Sequence, residues 1–216
     1  MSKGKVYLIP TTLGDSSMNY CLPEQIKDFI ELCDEFIVEN ERTARRFIKK
    51  IGANNDLDSL ILHELNKHSD SFEIPSYLKN IENGTNIGII SESGCPVIAD
   101  PGANIVAIAH DKNIQVVPLV GPSSIIMALM ASGFSGQNFA FNGYLPKNSA
   151  EKSKKIRQLE KLATQLNQTQ LFIEAPFRNQ KLLLDLLSTC LPGTKLCIAT
   201  EITAAAERIT TKTVLE

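Results

Sequence analysis

Short β-branched runs alternate with amphipathic helical segments through the first half of the chain. That alternation leaves few folds open, because strands linked by helical crossovers run the same way and make a parallel sheet. The predicted strands are Val6 to Ile9, Phe36 to Val38, Leu60 to Leu62, Ile87 to Ser91 and Gln115 to Pro118, each short and apolar enough to be buried on both faces. Pro23 to Cys33 places Ile26, Phe29, Ile30 and Cys33 at i, i+3, i+4, i+7 behind a first-turn proline, which predicts a helix with one face on the sheet. Beyond Gly121 the pattern predicts a helix from Pro122 to Ser132, a strand at Phe139 to Phe141 and a helix from Ala150 to Leu166. A strand at Gln170 to Glu174, a helix to Cys190, and strands at Leu196 to Glu201 and Ile209 to Thr213 complete it. Pro118, Gly121 and Pro122 interrupt the regular alternation. The expected architecture is therefore two α/β domains with a cleft between them: an N-terminal one with a parallel sheet over residues 1–118, and a C-terminal one over residues 119–216.

The chain has 216 residues, 43% of them hydrophobic and 21% charged, which is globular composition and excludes disorder, collagen and coiled coil. Lys and Arg total 22 against 24 Asp and Glu, so any contact with nucleic acid must come from a local patch. The five cysteines lie in no C-x-x-C pair and read as reduced cytosolic thiols. Three histidines without ligand spacing predict no metal site. The start of the chain has no h-region followed by a cleavage site, and prolines and glycines break the most apolar later segment, so a cytoplasmic protein away from membranes is expected.

Three loops follow predicted strands and so fall on the carboxyl edge of the sheet, where open α/β sheets bind ligands. Ser91-Glu92-Ser93-Gly94-Cys95-Pro96-Val97-Ile98-Ala99-Asp100-Pro101-Gly102 has two glycines for close backbone approach and no Lys or Arg. Neither phosphate-loop nor dinucleotide fingerprint occurs in the chain, and the charged members, Glu92 and Asp100, suit a ligand with hydroxyls, an amine or a cationic centre. Asp100 is open to two readings, a ligand contact or a cap for a helix beginning at Pro101. Glu92, directly after a buried strand, needs a partner or water. Pro10-Thr11-Thr12-Leu13-Gly14-Asp15 and Pro118-Leu119-Val120-Gly121-Pro122-Ser123-Ser124 bring hydroxyls and unpaired N–H groups to the same edge.

Two basic stripes bear on the partner. Arg42, Arg45, Arg46, Lys49 and Lys50 fall on one predicted helix, with Ala44, Phe47, Ile48 and Ile51 on its buried face, and make a cationic ridge able to meet phosphates. Lys147, Lys152, Lys154, Lys155, Arg157 and Lys161 gather around a later helix whose apolar side is Ile156, Leu159, Ala163 and Leu166, and read as a solvated face.

The ordered set Val6-Tyr7-Leu8-Ile9-Pro10-Thr11-Thr12-Leu13-Gly14, Val38-Glu39-Asn40-Glu41-Arg42, Leu62-His63-Glu64, the Ser91 to Gly102 loop and Val116-Val117-Pro118-Leu119-Val120-Gly121-Pro122 resembles the tetrapyrrole-methylase superfamily. It is most similar to the branch that methylates the ribose 2'-hydroxyl of a cytidine in 16S ribosomal RNA. Phe141-Asn142-Gly143-Tyr144-Leu145-Pro146, Phe172-Ile173-Glu174-Ala175-Pro176-Phe177-Arg178 and Ala199-Thr200-Glu201-Ile202-Thr203 extend the resemblance over nearly the whole chain. It implies S-adenosylmethionine folded into the cleft of a homodimeric methyltransferase acting on small-subunit ribosomal RNA. The implied cofactor contacts are Pro10, Thr11, Thr12, Gly14, Ser91, Ser93, Gly94, Cys95, Pro96, Gly121, Pro122, Ser123, Ser124, Ala199 and Glu201. Two motifs depart from the branch, Ser91-Glu92-Ser93-Gly94-Cys95-Pro96 where it reads S-D-A-G-T-P and Glu39-Asn40-Glu41-Arg42 where it reads E-D-T-R. The chain ends at Glu216, ahead of the closing strand expected of the family, so the second domain is expected to lack its last strand.

The expected chemistry is in-line methyl transfer to a ribose hydroxyl, with Glu92 and Asp100 as candidate catalytic carboxylates and Arg42, Arg45, Arg46 and Lys49 as candidate RNA contacts. Two alternatives stand beside it. One is methylation of a tetrapyrrole or another small molecule, for which 6% aromatic residues and no Trp give little platform. The other is a non-catalytic protein that binds S-adenosylmethionine or RNA.

Overall fold

Five short segments form the predicted parallel sheet: β1 (Val6–Ile9), β2 (Glu35–Val38), β3 (Ile61–Glu64), β4 (Ile87–Ile90) and β5 (Val116–Pro118). The computed structural model describes residues 3–216; Met1 and Ser2, where the first domain is expected to begin, lie outside them. Strand order is β3-β2-β4-β1-β5, with every pairing parallel. All residues of the central strands β2 and β4 are buried, which is why they lack the alternation of a one-sided sheet.

The pleat sends alternate residues to two separate cores. Tyr7, Ile9, Phe36, Val38 and Ile90 pack beneath α2 (Ile26–Glu31) and α3 (Glu41–Lys50), beside the short α1 (Met18–Cys21). Val6, Ile37, Ile87 and Ile89 face the other way, under a 3-10 helix over Ile74–Asn83 and α4 (Ala103–Asp111). The chain thus leaves β1 toward one face of the sheet and its neighbour β4 toward the other. That divergence opens a crevice at the carboxyl ends of β1 and β4.

The chain forms two compact units, one ending at Ser123 and the other beginning at Ser124. The second unit holds α5 (Ser124–Ser132), a parallel pair of β6 (Phe139–Tyr144) and β7 (Thr169–Ile173), and an antiparallel pair of β8 (Lys195–Thr200) and β9 (Arg208–Thr213). Two helices, α6 (Ser149–Leu166) and α7 (Asn179–Thr189), enclose a small core of Leu145, Ile156, Leu159, Leu182 and Leu186. Lys152 is not part of a solvated stripe: it is buried and its Nζ lies 2.9 Å from Asp185 Oδ2 on α7. Leu166, expected on the apolar side of that helix, is exposed at its last residue.

Several boundaries shift for local reasons. The helix expected over Pro23 to Cys33 is helical only over Ile26–Glu31, because Pro23 and Glu24 carbonyls accept the first amides as a separate turn. The helix expected at Pro101 starts at Ala103, since Gly102 at φ +127° cannot belong to it. The 3-10 segment places Ile74, Leu78 and Ile81 inward. Its apolar spacing is visible in the sequence behind Pro75, yet the strand–helix alternation does not predict it.

Candidate functional site

The loops after β1, β4 and β5 lock together at the crevice. Ser91 and Thr11 are both buried, with their hydroxyl oxygens 3.3 Å apart, and the Ser91 hydroxyl donates to the Gly94 carbonyl. The Thr11 amide donates to Gly94 O at 3.0 Å, the Gly94 amide returns to Thr12 O at 3.3 Å, and Ser93 Oγ donates to Leu13 O at 3.0 Å. Thr12 Oγ1 turns onto Gly14 O at 2.9 Å. Gly94 sits at φ +71°, and a Cβ there would stand 2.7 Å from Leu13 Cδ2 and 2.8 Å from Pro122 O. Only glycine meets both demands.

Cys95 fastens this pair of loops to the third. Its thiol lies 3.5 Å from Gly121 O and 3.3 Å from Pro122 O, and burial pushes its pKa up, so it stays a protonated donor. Pro96 and Pro122 are buried, and Ser123 is half-buried at the end of the first unit. The fold therefore brings Pro10, Thr11, Thr12, Gly14, Ser91, Ser93, Gly94, Cys95, Pro96, Gly121, Pro122 and Ser123 to one edge. Ser124 opens α5 in the second unit, Ala199 lies in β8, and Glu201 follows β8 with φ +50°.

Carboxylates border the same edge. Val38 and Ile90 are Cα partners, so Glu39 and Asn40 after β2 run beside Ser91 and Glu92 after β4. Thr43 Oγ1 donates to Glu92 Oε1 at 2.5 Å. Burial pushes the Asp100 carboxyl up to about 7, aided by the charges of Glu39 and Glu92 and by a hydrogen bond with Glu39. Asp100 does not cap a helix, because the cap position of α4 is Gly102 and carries no side-chain cap. Of its two readings the cap is removed. Glu39 and Thr43 do not stand out as site residues in the sequence; the signal available is that Glu39 directly follows a strand paired with β4.

Asn40 has a separate task. Its side chain caps α3 by accepting from the Thr43 amide at 3.1 Å, which Asn performs as well as the aspartate of the related motif. On the outer face of α3, Arg42, Arg46 and Lys49 are exposed. Arg45 is only partly so, since its guanidinium donates to the Leu57 carbonyl and lies 4.0 Å from Glu41. Three of the four predicted RNA contacts are thus presented to solvent, and Arg45 is tied to its own unit.

His63 is an internal strut. Its Nε2 lies 3.1 Å from the buried Glu35, which also accepts from Asn80 at 2.6 Å, and the ring stacks on Tyr77 at 4.8 Å. No group of three or more His, Cys, Asp or Glu that could hold a metal ion occurs among the described residues.

The edge fits a cationic, hydroxyl-bearing group. Its loops carry no Lys or Arg, its charged side chains are carboxylates, and a Cβ on Gly14 would meet nothing within 4 Å, so that part of the first loop faces open space.

Comparison with known proteins shows the family to which the chain belongs. The chain is 32% identical to Ribosomal RNA small subunit methyltransferase I of Bacillus subtilis, an alignment covering 99% of this chain and 68% of that protein. The protein of the same name from Vibrio cholerae is 28% identical, with 94% and 67% covered. Among solved structures, the methyltransferase CobJ superposes with a TM-score of 0.65 at 16% identity, covering 99% of this chain and 87% of that one. The cobalt precorrin-4 methyltransferase CbiF gives 0.62 at 14% identity, covering 98% and 86%. At those identities the structures speak for the fold alone. Residues 22–216 match the family Tetrapyrrole (Corrin/Porphyrin) Methylases, and with that extent of match the chain belongs to it.

Proposed function

We propose that this protein transfers a methyl group from S-adenosylmethionine to a ribose 2'-hydroxyl in small-subunit ribosomal RNA. The observation that carries the reading is the Thr43–Glu92 contact, which sets the cationic face of α3 against the carboxylate-bearing loop of the crevice. Relatives named for methylating small-subunit ribosomal RNA supply the acceptor class.

S-adenosylmethionine supplies an electrophilic methyl group on a sulfonium centre. The chain's own residues have the remaining tasks. Backbone carbonyls and hydroxyls of Pro10 to Gly14, Ser91 to Pro96 and Gly121 to Ser123 would hold the cofactor at the edge of the first unit, and the candidacy of Ser124, Ala199 and Glu201 rests on the family resemblance. Arg42, Arg46 and Lys49 hold RNA phosphates without reading sequence. With its carboxyl at about 7, Asp100 is partly ionised at neutral pH and able to accept the hydroxyl proton, with Glu92 beside it.

The homodimer and a cytoplasmic location belong to the same proposal. Met130, Phe177, Leu184 and Leu191 of the second unit are exposed apolar side chains suited to a subunit interface, and five free cysteines suit a reducing compartment. No helix among the described residues is long and apolar enough to cross a membrane. Sedimentation of the purified protein tests the dimer.

The direct test combines calorimetric titration with S-adenosylmethionine and transfer of labelled methyl to small ribosomal subunits. Label in RNA, lost when the 2'-hydroxyl of the acceptor is replaced by hydrogen, is the expected result. Cofactor binding with label only in an added tetrapyrrole would move the acceptor, and binding without any product would leave a binding protein.

A further inference from the structure

We propose that Thr43 is a positioning residue, whose hydroxyl aims the Glu92 carboxylate and ties the RNA-facing helix α3 to the proton-accepting pair. This rests on the reading of Glu92 and Asp100 as the catalytic carboxylates. The Thr43 hydroxyl has one hydrogen and two oxygens in reach, Glu92 Oε1 at 2.5 Å and Asn40 O at 2.9 Å. Asn40 O already accepts the Ala44 amide at 3.2 Å, the first helical bond of α3. The carboxylate is the closer and stronger acceptor, so the hydrogen goes to Glu92.

The donor is itself held still. Thr43 N is taken by the Asn40 side chain at 3.1 Å, and Ala44, Phe47 and Ile48 anchor the helix in the core. A β-branched side chain on such a helix has few χ1 choices. Glu92, by contrast, is an exposed side chain that would otherwise rotate in solvent. A reacting group displaced by about 1 Å can cost two orders of magnitude in rate, so fixing it matters to turnover more than to stability. Arg42 and Arg46 stand on the same helix, Arg42 next to Thr43 and Arg46 one turn on. A phosphate held there is therefore indexed to Glu92 through one rigid element.

The charged groups acting on Asp100 are Glu39, from the end of β2, and Glu92, from its own loop.

The test uses Thr43→Val, nearly isosteric but without the hydroxyl, Thr43→Ser, which keeps it, and Glu92→Gln and Asp100→Asn as references. Expected for Thr43→Val is a fall in kcat of roughly tenfold or more, with unchanged KM for small ribosomal subunits and unchanged cofactor affinity. Thr43→Ser should restore kcat. If Thr43→Val keeps full kcat while Glu92→Gln loses it, positioning by Thr43 is wrong and the catalytic reading stands. Full turnover in both Glu92→Gln and Asp100→Asn would instead remove the catalytic reading itself. A lowered melting temperature in Thr43→Val with kcat unchanged in the folded protein would make the contact structural only and overturn the proposal.

Discussion

Gly121 lies flat against Pro10: a Cβ added to Gly121 would stand 2.2 Å from the Pro10 Cβ and 2.3 Å from its Cγ. This packing seats the loop after β5 on the loop after β1, and a ring carbon has little room to yield. Gly121→Ala is therefore expected to cost about 1–3 kcal/mol of stability, as overpacking does, and to weaken S-adenosylmethionine binding. Gly14→Ala, four residues along the first loop from Pro10, meets nothing within 4 Å and should change stability by less than about 0.5 kcal/mol. Thermal melts and calorimetry on the two variants, side by side, check the contrast.

Asp100 makes stability depend on pH. Its carboxyl is raised from 3.8 to about 7 in the folded protein, so between those values the native state binds more protons than the unfolded chain. Stability attributable to this group falls as pH rises through that window and is flat above it. Asp100→Asn removes the loss: the variant should melt higher than the parent at pH 8, and the gap should shrink steadily toward pH 4. A gap of constant size across the range would contradict the assignment.

The outer face of α3 should act through charge alone. Replacing Arg42, Arg46 or Lys49 singly by Ala is expected to weaken binding to small ribosomal subunits and to flatten the log–log salt dependence by about 0.7 to 0.9 for each phosphate that is no longer neutralised. Arg45→Ala should lower the melting temperature, since it removes the bond to the Leu57 carbonyl, while leaving the salt slope alone. Filter binding over a salt series and a melt of each variant separate the two kinds of arginine.

Lys152 and Asp185 form an ion pair whose side chains retain only 4% and 19% of their exposure. Lys152→Ala leaves the Asp185 charge half-shielded and without its partner, and should cost about 3 kcal/mol, at the lower end of the range for broken buried pairs. The double change Lys152→Met with Asp185→Leu should recover most of that loss. Urea denaturation of the single and double variants measures it.

The sheet was legible in the sequence because burial on both faces demands unbroken apolar runs. Val6 to Ile9 and the runs ending at Val38 and Ile90 carry that signature, whereas the edge strands β3 and β5, also expected to be buried on both faces, are only partly covered because each has a single neighbour. The loops that follow those strands were legible for the same reason. What a linear pattern does not carry is where a polar side chain finds its partner. Lys152 reads as one more lysine in a solvated stripe, and Arg45 as one more member of a ridge, until α7 and the Leu57 carbonyl are beside them. Asn40 looks like a lost aspartate, yet capping asks only for an acceptor oxygen. Glu39 and Thr43 come from one stretch of chain and Glu92 and Asp100 from another, and they meet only because β2 pairs with β4. Periodicity, a local property, settled which segments fold into the sheet; the desolvation and pairing of charges, a property of neighbours distant along the chain, was decided by the tertiary structure alone.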